Sequence, residues 1–257
     1  MTREHRHEID IDASADDVWR AVTDETELTR WYADRARVTP GEGGAVTVGW
    51  QNPDGTVDEG TSRIEVWRPG RRLRLVDLAP ESGDSPALQE PTVQEWAITT
   101  EGGTTTLRLV HSGFPDTEDW DDIYDSTGHG WDAFLLSLRH YLQRHPGQPR
   151  RALVATAALD RPAGDAWENI SAACGITGGR LGAELPFGEA LSGPILLERP
   201  AKSLLAVVDQ LDDGLLFVTL EPGTLWASLA AFGTARDRLD DLGDRWHDWI
   251  TNTPAQP

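Results

Sequence analysis

The order of apolar and polar residues at the start of the chain predicts a strand followed by two short helices. Residues 4–11 alternate in polarity, which is typical of a strand with one buried face. Ser14 and Asp17 have the spacing of a helix N-terminal capping box, and Asp24 and Glu27 repeat it. Apolar residues at helical spacing follow each signal, so we expect one helix after Ser14 and another after Asp24.

Short β-rich segments separated by glycine and proline follow, and an amphipathic helix closes this half of the chain. The segments are AVTVGW, SRIEVW, RLRLVDL, VQEWAITT and TTTLRLVH. Apolar residues recur at helical spacing from about Gly128 onward, and the segment HPGQP ends the pattern. We expect the acidic residues from Asp116 to Asp125 to form a solvated loop, because their spacing departs from that of a calcium-binding loop.

The second half of the chain repeats this order of elements in fewer residues. A predicted strand in RALVATAALD and a helix in PAGDAWENISAAC precede four apolar segments and a final helix over residues 234–251. Trp19 aligns with Trp167 and Asp12 with Asp160 at the same offset. We therefore predict an internal duplication, with one domain over residues 1–148 and a shorter, divergent copy over residues 149–257.

Four stretches of the first half, in this order, resemble a known family. They are ASADDVWRAVTDETELTRWY, the GRRL turn, TTLRLVHSGF and GHGWDAFLLSLRHYL. Together they resemble the family related to the activator of the heat-shock protein 90 ATPase, within the START/Bet v 1-like (SRPBCC) superfamily. The resemblance implies an α+β fold with two helix-grip domains, each a curved antiparallel sheet wrapped on a long C-terminal helix. The second half looks like a divergent member and has no equivalent of the HSGF motif.

Apolar and aromatic residues on elements that such a fold turns inward are the candidate ligand-binding groups. Aromatic side chains bring large apolar area and can line a pocket for a flat or hydrophobic ligand. The same residues would equally well fill a solid core, and the sequence leaves both alternatives open. The candidates are Trp31, Trp50, Trp96, Trp131, Phe134 and Leu138.

His111 is the candidate polar group of this cavity. It alternates with Leu107 and Leu109, so the three side chains share one face of a strand whose direction the sequence leaves open. A histidine in an apolar pocket can orient a carbonyl or hydroxyl group or act as a general base, although a structural role is more common. No Ser/His/Asp or Cys/His arrangement is recognisable, so we predict no catalytic residues.

Charge and composition limit the classes of partner and cofactor that we expect. A net charge of −20 repels phosphate backbones and anionic lipid surfaces, so we expect neither a nucleic acid nor a membrane as partner. One cysteine and scattered histidines, without CxxC or HExxH spacing, argue against a metal site, and we predict no cofactor. The single Cys174 and the polar N-terminal segment favour the cytoplasm.

These observations predict non-catalytic binding of a hydrophobic small molecule or lipid in the cavity of the first domain. The resemblance implies two alternatives, because members of the superfamily also serve as chaperone cofactors and stress proteins or act as polyketide aromatase-cyclases. A protein partner would favour the first alternative, and conversion of a polyketide substrate would favour the second. Ligand identity and oligomeric state stay open at this point.

Overall fold

The computed structural model describes residues 2–78, 90–184 and 190–252. The chain divides into two compact units, Met1–Gly147 and Gln148–Pro257. Each unit contains one antiparallel sheet and a helix that follows its last strand. The α+β class with two helix-grip sheets is thereby confirmed.

In the first unit, the first and last strands of the sheet are neighbours, and the closing helix packs beside them. The elements are β1 (Thr2–Ile11), α1 (Ala15–Thr23), α2 (Glu25–Trp31), β2 (Arg35–Thr39), β3 (Ala45–Gln51), β4 (Val57–Arg68), β5 (Arg72–Asp77), β6 (Val93–Glu101), β7 (Thr104–Pro115) and α3 (Asp121–Arg144). The sheet order is β1-β7-β6-β5-β4-β3-β2. Helix α3 contacts β1, α1 and α2.

The two capping signals at the start of the chain form as predicted. The Ser14 hydroxyl accepts a hydrogen bond from the backbone N–H of Asp17 at 3.1 Å. The Asp24 carboxylate accepts from the backbone N–H groups of Thr26 and Glu27 at 2.9 and 3.0 Å. These bonds satisfy donors that a helix N-terminus leaves unpaired, so α1 and α2 begin where the spacing places them.

The apolar periodicity placed the start of α3 near Gly128, but the helix begins about two turns earlier. The helix starts at Asp121, directly after a short 3-10 helix over Glu118–Trp120. Asp121 and Asp122 occupy its first turn, where carboxylates interact favourably with the helix dipole. The prediction of a solvated acidic loop up to Asp125 is therefore wrong for its second half, because charge complementarity at the N-terminus replaces apolar periodicity as the helix signal.

The second unit repeats the arrangement with fewer elements. They are β8 (Arg150–Ala158), α4 (Ala163–Ala173), β9 (Arg180–Glu184), β10 (Ala190–Arg199), β11 (Ser203–Val208), β12 (Gly214–Glu221), β13 (Thr224–Phe232) and α5 (Arg238–Asn252). The sheet order is β8-β13-β12-β11-β10-β9, and α5 packs against β8. A 3-10 helix over Gly233–Asp237 precedes α5, so the final α-helix begins four residues later than predicted.

Candidate functional site

The inner face of the first sheet carries both apolar and polar side chains because strand alternation places them together. Trp96 of β6 lies opposite Leu73 of β5 and Leu109 of β7. In the next row, Gln94 lies opposite His111. Adjacent rows on one face are two residues apart along each strand, so Trp96 and Gln94 point to the same side of the sheet.

Tyr32, the residue that ends α2, lies at the centre of a cluster of aromatic rings. Trp31 and Trp131 stack on it with ring centroids 5.0 and 5.7 Å away. Trp50 and Phe134 meet it edge-on at 5.2 and 4.9 Å. We call these five residues the Tyr32 cluster. Its members come from α2, β3 and α3, so the cluster joins the helices to the sheet.

Hydrogen bonds from the indole N–H groups hold three members of the cluster in place. Trp31 Nε1 donates to the backbone oxygen of Ala21 at 2.8 Å. Trp50 Nε1 donates to the backbone oxygen of Tyr32 at 3.0 Å. Trp131 Nε1 donates to Nδ1 of His111 at 2.9 Å. An indole N–H that has an acceptor favours one ring orientation, so these bonds hold Trp31, Trp50 and Trp131 in place.

A polar network lies on the same face of the sheet, centred on Asp77 at the end of β5. Its Oδ1 accepts from the Ser62 hydroxyl at 2.5 Å and from Gln94 Nε2 at 2.9 Å. Its Oδ2 accepts from the Thr92 hydroxyl at 2.8 Å and lies 3.2 Å from His111 Nε2. The Asp77 carboxylate is 25% exposed, so a charged group lines the interior of this unit.

Trp131 determines which nitrogen of His111 carries the proton. An indole nitrogen can only donate, so Nδ1 of His111 must accept and Nε2 carries the hydrogen. That hydrogen is donated to the Thr92 hydroxyl at 2.9 Å. Both ring nitrogens of the buried His111 are therefore used by protein groups, and neither is available as a general base in this arrangement.

The surroundings of Asp77 and of the nearby Tyr32 phenol shift the pKa values of both groups. Burial alone would raise the pKa of Asp77, but the adjacent His111 and hydrogen bonds from Ser62 and Gln94 lower that pKa below its usual value. Burial and the nearby negative charge of Asp77 raise the pKa of the Tyr32 phenol well above its usual value. At neutral pH the structure therefore holds an ionised carboxylate and a protonated phenol on one interior surface.

The structure links most of the predicted site residues into one set. Trp31, Trp50, Trp131 and Phe134 belong to the Tyr32 cluster, Trp96 contacts Trp131 edge-on at 5.3 Å, and His111 is bonded to Trp131. Leu138 is fully buried on α3. Burial separates these residues into two groups. Trp50 and Phe134 are partly exposed and can line a cavity, whereas Trp31, Trp96, His111, Trp131 and Leu138 are buried and support it.

Several residues of the site were not predicted from the sequence. Asp77 alternates with Leu73 and Leu75 in RLRLVDL, and this pattern already places the carboxylate on the buried face. In the same way, Gln94 lies two residues before Trp96 on one strand, so alternation places both side chains on the same face. Tyr32 follows Trp31 at the end of the apolar residues after Asp24, and local spacing does not distinguish it from a packing residue. The remaining two residues, Ser62 and Thr92, carry no sequence signal that we recognise.

Other candidate chemistry is limited in the part of the chain that the structure describes. Cys174 is buried, and burial raises the pKa of its thiol to about 12, which fits a packing role. Among the described residues, no three or more His, Cys, Asp or Glu side chains are grouped so that they could hold a metal ion. Within the same ranges, no helix has the length and apolar composition that crossing a membrane requires.

One protein family matches the chain over about half its length. The family described as "Activator of Hsp90 ATPase homolog 1-like protein" matches residues 12–143, which run from the end of β1 almost to the end of α3. This segment contains every predicted site residue and the whole Asp77 network. No curated protein matches the chain.

Several solved structures are similar to the chain. Protein MLL2253 from Mesorhizobium loti is 24% identical, with 56% of this chain and 98% of that chain covered and a TM-score of 0.47. The Aha1 dimer from Colwellia psychrerythraea is 19% identical, with 56% and 99% covered and a TM-score of 0.46. The di-domain ARO/CYC BexL from the BE-7585A biosynthetic pathway is 16% identical, with 99% of both chains covered and a TM-score of 0.48. At these identities and TM-scores the similarities carry no argument about function.

Proposed function

The chain belongs to the family of Activator of Hsp90 ATPase homolog 1-like proteins, within the START/Bet v 1-like superfamily, and from this premise we propose that its first unit binds a hydrophobic small molecule. The ligand would lie between the sheet and α3, against the Tyr32 cluster. The observation that carries the proposal is the partial exposure of Tyr32, Trp50 and Phe134 within an otherwise buried aromatic cluster. Aromatic rings that line an interior without being fully covered are typical of a ligand pocket.

The physical basis of binding is apolar burial on a rigid surface. Each Å² of apolar surface removed from water contributes roughly 25 cal/mol before the cost of association is subtracted. The hydrogen bonds of Trp31, Trp50 and Trp131 fix the rings before a ligand arrives. Preorganisation of this kind lowers the entropy lost on binding, so moderate buried area suffices for useful affinity.

We further propose that the second unit is a shortened copy without this site. On β13, which occupies the position of β7 in its sheet, the inward residues are Leu225, Ala227, Leu229 and Ala231, and all are buried. None of them is a counterpart of His111. Trp167 and Trp246 are also buried in the core of this unit. Apolar, buried side chains at these positions support a structural role for the second unit.

Two measurements on the full chain test the proposal. Organic extraction of the purified protein followed by mass spectrometry is expected to recover a bound hydrophobic compound. Equilibrium dialysis with a panel of aromatic and aliphatic compounds is expected to detect saturable uptake. An empty extract together with no uptake from the panel would overturn the proposal.

A matched pair of variants locates the site. Phe134→Ala removes a partly exposed ring of the Tyr32 cluster, and we expect the affinity for a bound compound to fall about tenfold because apolar contact is lost. Trp226→Ala removes a partly exposed ring from the second unit and is expected to leave the affinity unchanged. Equal effects of the two substitutions would contradict the assignment to the first unit.

A further inference from the structure

The Tyr32 hydroxyl is a hydrogen-bond donor without an acceptor at the centre of the aromatic cluster. Within residues 2–78, 90–184 and 190–252, no hydrogen bond of this hydroxyl is present, whereas the indole N–H groups of Trp31, Trp50 and Trp131 all have acceptors. The Tyr32 side chain is partly exposed, and its hydroxyl is not among the fully buried polar atoms that lack a partner, so the hydroxyl itself is accessible. A donor in this position is available to a ligand.

Trp96 is the contrasting case on the same inner face. Its Nε1 is also without an acceptor among the described residues, but the atom is fully buried and cannot reach a ligand without repacking of the core. Tyr32 is therefore the donor of the cluster that a ligand can meet directly. Its protonated state at neutral pH follows from burial and from the charge of Asp77, which together raise its pKa.

Asp77 determines which kind of acceptor suits this donor. The carboxylate is ionised, and Ser62, Thr92 and Gln94 already donate to both of its oxygens. The Asp77 carboxylate contacts His111, His111 is bonded to Trp131, and Trp131 stacks on Tyr32, so the negative charge lies beside the aromatic cluster. There it disfavours a negatively charged ligand group next to the Tyr32 hydroxyl, as it disfavours ionisation of Tyr32 itself. In the part of the chain that the structure describes, no arginine or lysine contacts Asp77 to offset this repulsion.

We propose that the ligand of the first unit is a neutral aromatic compound whose carbonyl or hydroxyl oxygen accepts a hydrogen bond from Tyr32, and that Asp77 excludes carboxylates from this position. This inference rests on the proposed function and narrows it. Flat rings fit against Trp50 and Phe134, which meet Tyr32 edge-on. Fatty acids and other anionic lipids are therefore not expected to bind with their charged group at Tyr32.

Three probes of nearly equal shape test the inference. 2-Acetylnaphthalene carries a carbonyl acceptor, 2-isopropenylnaphthalene replaces that oxygen with a methylene group, and 2-naphthoate carries a carboxylate. Dissociation constants are measured by equilibrium dialysis on the full chain at neutral pH. We expect the ketone to bind about three- to tenfold more tightly than the hydrocarbon, as one hydrogen bond provides, and the carboxylate to bind most weakly.

Variants assign the effect to the two residues. Tyr32→Phe is expected to remove the preference for the ketone over the hydrocarbon without weakening hydrocarbon binding. Asp77→Asn is expected to increase the affinity for 2-naphthoate about tenfold or more. Tyr124→Phe removes a phenol that donates to the backbone oxygen of Glu4 at 2.9 Å, outside the cluster, and serves as the matched control.

Each outcome bears on the inference. Equal binding of the three probes, or a ketone preference that survives in Tyr32→Phe, would overturn it and leave the proposed function standing. No binding of any probe would overturn both. An unchanged affinity for 2-naphthoate in Asp77→Asn would overturn the role of Asp77. If that variant does not fold, because it removes a carboxylate from a buried network, wild-type binding of 2-naphthoate as tight as that of the ketone overturns the same role.

Discussion

At the residue scale, His111 connects the aromatic cluster to the polar network, because it accepts a hydrogen bond from the first and donates one to the second. Its Nδ1 accepts from Trp131 of the aromatic cluster, and its Nε2 donates towards Thr92 and Asp77 of the polar network. A side chain that offers one acceptor and one donor at these positions is required, and neutral histidine is the residue that provides both on a planar ring. The predicted histidine therefore has a positioning role in this arrangement.

Removal of this side chain is expected to destabilise the protein. His111→Ala leaves a buried indole N–H and part of the Asp77 network without partners, and each unsatisfied group costs about 1–3 kcal/mol. Urea unfolding of the wild type, His111→Ala, Trp131→Phe and the double variant measures the coupling. We expect a coupling free energy above about 0.5 kcal/mol, and additive effects would contradict the hydrogen bond as the link.

The lowered pKa of Asp77 makes stability depend on acid pH. A carboxyl whose pKa is lower in the folded than in the unfolded chain contributes stability above the unfolded value of about 4, and that contribution is lost as the pH falls through the folded value. Urea unfolding between about pH 6 and pH 2 is expected to show a steeper loss for the wild type than for Asp77→Asn. Asp12→Asn, at an exposed position between β1 and α1, is the control and should retain the wild-type slope.

At the element scale, the close packing of α3 on β1 depends on a glycine. An added Cβ at Gly128 would lie 2.5 Å from Cε1 of His5. The His5 ring cannot move aside freely, because it stacks on Tyr124 with centroids 3.8 Å apart and its Nε2 donates to the backbone oxygen of Tyr124 at 2.8 Å. Helix and strand therefore approach more closely here than a larger residue allows.

Two glycines of α3 provide a matched test of this contact. Gly128→Ala is expected to lower the free energy of unfolding by about 1–3 kcal/mol through overpacking. Gly130→Ala places its Cβ 3.7 Å from Phe134, an ordinary contact, and is expected to raise stability by up to about 1 kcal/mol through helix propensity. Thermal and urea unfolding measure both, and stabilisation by Gly128→Ala would show that His5 is not in the way.

A buried hydrogen bond joins α2 to the C-terminal part of α3. The Tyr141 hydroxyl donates to the Glu27 carboxylate at 2.5 Å and accepts from the backbone N–H of Gly147 at 2.9 Å. Burial and the bond to Glu27 raise the pKa of Tyr141 to about 12. Glu27 also accepts from Arg30 at 2.6 Å, so the buried carboxylate is compensated. The cluster residue Tyr32 is held between these fixed helices.

At the scale of the whole molecule, the two units share a sheet order but differ in the chemistry of their interiors. The first contains the Asp77 network beside aromatic rings, and the second has an apolar interior in its described residues. The chain carries a net charge of −20, which disfavours anionic partners. Oriented polar groups within an apolar interior give a binding site its specificity. The Asp77 network provides such groups in the first unit.

This difference predicts the stoichiometry of binding. Native mass spectrometry or calorimetric titration with a ligand found by dialysis is expected to show one ligand per chain, bound in the first unit. Phe134→Ala should weaken that single event. Two equivalent binding events per chain would contradict our proposal that the second unit lacks the site.

Local spacing in the sequence predicted the order of the elements, apart from the short strands β2 and β9, and the caps of α1 and α2, whereas the α+β class followed from the family resemblance. The element order and the caps depend on residues close together along the chain, such as Ser14 with Asp17, so local spacing is sufficient to read them. Alternation places Asp77 on the same face of β5 as Leu73 and Leu75, and the burial of these leucines in the structure identifies that face as the inner one. The start of α3 was misplaced because charge at its N-terminus, and not apolar periodicity, marks its first turns.

Only the tertiary structure decided which inward residues meet. Tyr32, Trp50, Asp77, His111 and Trp131 lie far apart along the chain, and the strand register and the position of α3 bring them together. The tautomer of His111 and the state of the Tyr32 phenol depend on these neighbours. Hydrogen bonds and Coulomb interactions act over a few Å in space, and local sequence patterns contain no information about distances of that kind.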